Sequence, residues 1–425
     1  MIIRSKRAFI GKKLMPAALV IVSGRISAIC PYTYEKRQGL DLGDLILLPG
    51  AIDTHVHFRD PEAPYKEDFA TGSCAALAGG VTTVMDMPNY RNPPTTTVGA
   101  YIEKERIAAS ASRCDFGLHF GGTAENSDLA KRFSPPSLKV FISDTHSPLT
   151  VNYSGLERHM LSFPKESPLL VHCEDQEAAE RNMRKYSKHE QVRSPPVALE
   201  AVKKVAAMGK KCARRVHFCH LTTASEVSAA RIWGGATCEA APHHLFMDAA
   251  DIERLKGWGN VNPPLRPKAE VAKLWKSLKR IDCLASDHAP HTPRDKENGA
   301  CGFPGVQTMV PLVLDAVMGK RLALSEAVRL LCTGPAKAFG IPGKGAIATG
   351  NDADLIAFDP KGKWAITEKD LHSKCGWSPY IGRQLSGRIE GVFLRGHEAV
   401  IGNDIQVGAG FGKKLQFKAQ KRGWA

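Results

Sequence analysis

LILLPGAIDTHVHFRDP, Leu45 to Pro61, begins as an apolar run with the character of a buried β-strand and ends in two histidines one residue apart, an arginine and an aspartate. Alternate side chains of a strand share a face, so His55 and His57 project together where the strand ends. Two imidazoles converging there point to a metal site. Taken alone, H-x-H describes two solvated loop histidines just as well, and the rest of the chain has to decide.

Seven more short apolar or β-branched segments follow: VTTVMDM, CDFGLHF, SLKVFIS, LLVHCED, RVHFCHL, ATCEAAP and IDCLASD. Amphipathic stretches such as EDFATGSCAALAGG, PVALEAVKKVAAMG and KAEVAKLWKSLKR lie between several of them. Gly79-Gly80 and Gly234-Gly235 stop two of these helices just before the next strand. Eight strand-helix units predict an α/β fold, a (β/α)8 TIM barrel over residues 50–344, with its active site at the C-terminal strand ends. The chemically capable side chains stand at those ends: His55 and His57, then Asn89, Lys139, His172, Cys219 with His220, Glu239 with His243 and His244, and Asp287 with His288 and His291. Residues 1–49 and 345–425 are instead rich in short β-like pieces and glycine turns, and predict one small β domain built from both chain ends. Thr292 to Gly305, polar and punctuated by glycine, reads as a mobile active-site loop.

Composition narrows the class. A chain of 425 residues, 43% hydrophobic and 24% charged, with no apolar run long enough to span a bilayer, reads as globular and cytoplasmic. The basic and then apolar N-terminus passes through Ser23-Gly24-Arg25, as strand-turn-strand does and a secretory signal does not. Eleven cysteines without a C-x-x-C pair indicate reduced thiols. The formal charge of +15 is spread along the chain without a nucleic-acid motif, so it favours small anionic substrates over nucleic acid or membrane partners.

A pair of divalent cations needs donors from several strands and an anion between them. His55, His57, His172, His220 and Asp287 supply nitrogen and carboxylate ligands suited to zinc. Lys139 alternates with Leu138 and Val140 and so faces the barrel interior. Burial and nearby positive charge favour its neutral amine, which can add carbon dioxide and become a bridging carbamate. A lysine that snorkels to solvent or pairs with an acid is the plainer alternative.

DTHVHFRDP, GGVTTVMDMPN, SLKVFIS, VHCED, FCHLTTASE, CEAAPHHLF, NPPLRP and SDHAPHT, in this order, resemble the dihydroorotases of the cyclic amidohydrolase family, and GNDADLIAFD with WSPYIG extends the likeness to the C-terminal part. The resemblance implies that His55, His57 and Asp287 bind one zinc ion and His172 and His220 a second, bridged by N6-carboxylated Lys139 and a hydroxide. It implies a substrate site of Arg59, Asn89, Asn262 and His291 with the loop at Cys301 and Gly302. It also implies reversible hydrolysis of dihydroorotate to N-carbamoyl-aspartate in pyrimidine biosynthesis, with Asp287 as the catalytic proton carrier. Homo-oligomers or association with other pyrimidine enzymes are further expectations. Cys219, Glu239 and His244 could hold a third zinc ion; the plainer reading is packing for the thiol and hydrogen bonds behind the ligands for the other two. A hydantoinase or allantoinase with the same barrel, or a non-catalytic assembly protein of the same fold, are the competing readings.

Overall fold

The computed structural model of the chain describes residues 1–88, 94–143 and 149–417. Eight parallel strands form a barrel: β1 (Ala51–Val56), β2 (Val81–Asp86), β3 (Asp115–Leu118, resumed at Phe120–Gly121), β4 (Leu138–Phe141), β5 (Leu169–His172), β6 (Val216–Phe218), β7 (Ala236–Ala240) and β8 (Cys283–Leu284). Neighbours pair in chain order. The ring closes where Val56 bridges His288 and the His57 amide donates to the His288 carbonyl at 2.8 Å. β1, β2, β4 and β5 are buried along their whole length. Parallel strands covered on both faces therefore appear in the sequence as continuous apolar runs.

Each anticipated segment supplies a barrel strand, with one correction. LILLPGAI is two strands: Ile46–Pro49 joins a different sheet, and the barrel begins at Ala51. Gly50 permits the switch, because a Cβ there would stand 2.3 Å from Thr82 Oγ1 on β2. After β1, helix α1 (Phe69–Ala78) is capped by Asp68, whose carboxylate accepts the Thr71 amide at 2.7 Å. Helices at Pro195–Lys211, Ala224–Ala230 and Lys268–Lys276 occupy further amphipathic segments.

Strands from both chain ends share a nine-stranded sheet. Ile46–Pro49 lies between its halves, antiparallel to Leu355–Phe358 and parallel to Arg7–Ala8. Buried charges fasten this sheet to the base of the barrel, opposite the strand ends that carry the histidines. Lys344 Nζ lies 2.8 Å from Asp115 at the start of β3, 2.9 Å from Asp352 and 2.5 Å from Asp354, and Arg395 pairs with the same Asp115. The acidic residues of GNDADLIAFD thus have a structural task. Among the described residues no helix is long and apolar enough to cross a membrane.

Thr292–Gly305 carries more structure than its polar sequence indicates. A helical turn, Pro293–Glu297, is closed by a capping box between Thr292 and Asp295. Lys296 reaches back to the carbonyls of Asn260, Ala300 and Gly302 at 2.9, 2.6 and 3.0 Å. That latch seats Cys301 and Gly302 against the segment containing Asn262.

Candidate metal and substrate site

The C-terminal ends of β1, β5, β6 and β8 converge on one cleft, lined by His55, His57, His172, His220 and Asp287 and, on its other walls, by Arg59, Asn262, Cys301 and Gly302. Arg59, His220 and Asp287 have φ values of +64°, +32° and +48°. Residues other than glycine rarely enter this left-handed region, and such strain concentrates at functional sites. Here it turns the chain sharply just after β1, β6 and β8, where these side chains meet the cleft.

The donors fall into two adjoining groups. His55 Nε2 and His57 Nε2 each lie 3.4 Å from Asp287 Oδ1. His172 Nδ1 and His220 Nε2 are 3.0 Å apart, and the rings of His55 and His220 are separated by 5.3 Å. Lys139, fully buried on β4, places its Nζ 2.9 Å from Cys219 Sγ.

Hydrogen bonds behind the histidines select which nitrogen faces inward. His55 Nδ1 lies 2.5 Å from Glu239 Oε1, which leaves Nε2 for the cleft. His172 Nε2 lies 2.9 Å from Glu174 Oε2, which leaves Nδ1. Burial, aided by Lys139, brings His55 down to about 4; burial likewise lowers His172 and, strongly, His220. These imidazoles are neutral at physiological pH, the form that offers a lone pair to a cation. Burial acts to raise Glu239, but its contacts with His55 and His217 prevail and hold it well below the usual carboxylate range. Glu174 is also buried, yet Arg193 and the His172 bond bring it down to about 2. Burial pushes Asp287 up to about 8, against the pull of Lys139 and with repulsion from Glu239. Neutral imidazoles converging with a carboxylate that must lose its proton to a cation fit divalent metal ions, and the donor atoms of His55, His57 and Asp287 lie within 4.8 Å of one another.

The model of the "Amidohydrolase family" matches residues 46–399, barrel and flanking strands together. A dihydroorotase of Methanosarcina acetivorans is 35% identical over 410 residues, 89% of this chain and 88% of the relative. The chain is an amidohydrolase of the dihydroorotase family. A second relative, the dihydroorotase of Pyrococcus horikoshii, is 36% identical over 92% of this chain and 88% of its own. The multifunctional protein CAD of Squalus acanthias is 36% identical over 88% of this chain, which spans only 16% of that protein's length. Among solved structures, the L-hydantoinase (dihydropyrimidinase) of Arthrobacter aurescens superposes with a TM-score of 0.90 at 26% identity, covering 97% of this chain and 99% of that one.

The remaining anticipated residues of this amidohydrolase sort by position. Arg59 Nη2 lies 3.3 Å from His291 Nε2, and His291 in turn meets the Cys301 carbonyl at 3.1 Å. Asn262 lines the cleft with its Oδ1 buried. Asn89 lies outside the described residues. Cys219 joins His55 and Glu239 in a cluster of donor atoms, whereas His244 Nε2 is bonded to the Pro263 carbonyl at 2.9 Å. Sequence reasoning misses Asp53, whose Oδ1 accepts the amides of His55 and Ser286 at 3.1 and 3.0 Å, and His217, whose Nε2 meets Glu239 Oε2 at 3.0 Å. It also misses Glu174, although the motif VHCED displays it two positions after His172.

Proposed function

We propose that the protein catalyses the reversible hydrolysis of dihydroorotate to N-carbamoyl-aspartate in pyrimidine biosynthesis, in the cytoplasm, using two zinc ions. His55, His57 and Asp287 would hold one ion and His172 and His220 the other, with N6-carboxylated Lys139 supplying the anionic oxygens that offset their repulsion. The observation that carries this reading is the junction of a converging His/Asp donor set with an anion-binding wall formed by the Arg59 guanidinium and the His291 ring beside it. Relatives named dihydroorotases, covering most of the chain at 35–36% identity, support it.

Zinc bound by these ligands would polarise the ring amide carbonyl and make water a nucleophile at neutral pH. Arg59 grips the substrate carboxylate through its planar fork, joined by His291, Asn89 and Asn262, and the backbone at Cys301 and Gly302 closes the pocket. Asp287 accepts the proton of the attacking water and delivers it to the departing ring nitrogen. Glu239 and Glu174 fix the ligating nitrogens of His55 and His172. The contacts of Glu239 with two histidines support the plainer reading of this cluster, in which Glu239 orders the rings behind the metal site and Cys219 packs beside Lys139. Matches to 16% of CAD and of a Dictyostelium multifunctional protein make association with further pyrimidine-pathway enzymes part of this reading.

The test follows ring opening of dihydroorotate by ultraviolet absorbance, with metal analysis of the same sample. About two zinc ions per chain are expected, turnover should vanish with a chelator and return with zinc, and cyclisation of N-carbamoyl-aspartate should gain share as pH falls because it consumes a proton. Full activity in protein free of divalent ions would refute the proposal.

A further inference from the structure

One more cation stands at the wall read as the carboxylate site. Lys66, on the loop between β1 and α1, places Nζ 3.2 Å from His291 Nδ1 and 3.3 Å from Asp295 Oδ1. Its side chain is 13% exposed, so the ammonium is largely withdrawn from solvent. The loop itself is rigidly seated: the Lys66 amide donates to the Ala63 carbonyl at 2.9 Å, Asp60 accepts the Phe69 amide at 2.8 Å, and Glu67 Oε2 lies 3.3 Å from His288 Nε2. Adjacent residues, Lys66 and Glu67, thus engage the two histidines of the segment that follows β8.

We infer that Lys66 is a positioning residue for anion recognition, holding His291 in the tautomer that carries its proton on Nε2 and so turning that nitrogen into a second donor beside the Arg59 guanidinium. An ammonium has donors only, so its contact with Nδ1 requires a bare lone pair there. The proton of the neutral ring then sits on Nε2, where it meets the Cys301 carbonyl at 3.1 Å. Arg59 Nη2 stands 3.3 Å from the same Nε2, yet a guanidinium also has donors only. These two groups cannot bond to each other. Two donors that close, from different strand ends, are complementary to one shared acceptor, and a carboxylate oxygen can take both, sharing the single His291 N–H with the Cys301 carbonyl or displacing it. Burial and the surrounding cations Arg59, Lys66 and Lys296 hold the ring well below the usual histidine range, with the Cys301 carbonyl bond opposing them; Asp295 is the acid that faces Lys66. A charged His291 would place a proton on Nδ1 against the ammonium, so Lys66 keeps the ring neutral as well as oriented.

This inference rests on the reading of Arg59 and His291 as contacts of the dihydroorotate carboxylate, and its test separates the two. In wild-type protein labelled with ¹⁵N-histidine, with His291→Gln used for assignment, Nδ1 of His291 should resonate as an unprotonated nitrogen and Nε2 as a protonated one. Lys66→Met should shift that pattern and raise KM for dihydroorotate about tenfold, the worth of one charge-assisted hydrogen bond, with a much smaller change in kcat. Lys66→Arg, a donor-only cation, should restore both the spectrum and KM, which loss of a merely structural tie to Asp295 does not predict for the tautomer. A proton on Nδ1 in the free wild-type protein, or an unmoved spectrum and KM in Lys66→Met, overturns the inference. Absence of dihydroorotate turnover in wild type, with the expected spectrum, overturns the functional reading and with it the role assigned to the tautomer.

Discussion

Replacing Glu239 by glutamine exchanges one oxygen of a fully buried side chain for a donor and forces a choice between two histidines. The carboxylate lies 2.5 Å from His55 Nδ1 and 3.0 Å from His217 Nε2, and accepts the His220 amide at 3.3 Å. A glutamine offers one acceptor and one donor to the same pair. If its amide nitrogen faces His55, the ring must move its proton to Nε2, the atom aimed at Asp287 and assigned to the metal. If it faces His217, that ring can shift its proton to Nδ1, 2.9 Å from Thr237 Oγ1, and His55 keeps its partner but loses the negative charge behind it. A hydrogen bond to a charged group contributes roughly 1.5–3 kcal/mol, and since 1.4 kcal/mol is tenfold, zinc affinity should fall about tenfold to a hundredfold. Competition against a chromophoric chelator measures this, and circular dichroism of the metal-free protein checks that the fold persists. Zinc affinity indistinguishable from wild type in a folded Glu239→Gln protein would refute the assignment of Glu239 to His55.

Zinc affinity should rise with pH until about 8 and then level, because Asp287, held near that value without a cation, must surrender its proton on binding. The stability of the metal-free protein runs the other way: a carboxyl raised from 3.8 to about 8 costs stability as pH climbs through that window, which denaturant melts across pH will register. Asp287→Asn should fold, lose this slope and lose nearly all turnover, since an amide cannot accept the proton; turnover near wild type moves the base elsewhere. Arg59→Lys should raise KM for dihydroorotate about tenfold while keeping the charge, because an ammonium lacks the planar fork; an unchanged KM removes Arg59 from the substrate site. Lys139→Ala should lose metal and rate together, and a short carboxylic acid in the buffer should restore part of both, whereas Lys139→Arg, which cannot be carboxylated, should stay inactive; activity in Lys139→Arg refutes the bridging carbamate.

The barrel is legible in the sequence because buried parallel strands are continuous apolar runs, and the histidines are legible because each closes such a run. The break at Pro49-Gly50 is not. Both halves of LILLPGAI are equally apolar, and what changes is the partner, from Leu355–Phe358 before the break to β2 after it. Glu174 and His217 sit beside quoted motifs, yet their tasks depend on which ring nitrogen they meet, a matter of rotamer and tertiary distance. Lys66 is harder still, since its partner His291 lies 225 positions along the chain and only closure of the ring between β1 and β8 brings them together. The charges of GNDADLIAFD, legible as a motif, acquire a purpose only when Asp115 and Lys344 are seen to meet them.

The most direct measurement compares kcat/KM for dihydroorotate, dihydrouracil, hydantoin and allantoin with one zinc-loaded preparation. Dihydroorotate and dihydrouracil differ by the carboxylate alone, so their ratio isolates the wall formed by Arg59 and His291. A site built to bond that group should prefer dihydroorotate by roughly a thousandfold or more. Comparable turnover of dihydrouracil or hydantoin would contradict the assignment and place the protein's activity with the hydantoinases whose fold it shares.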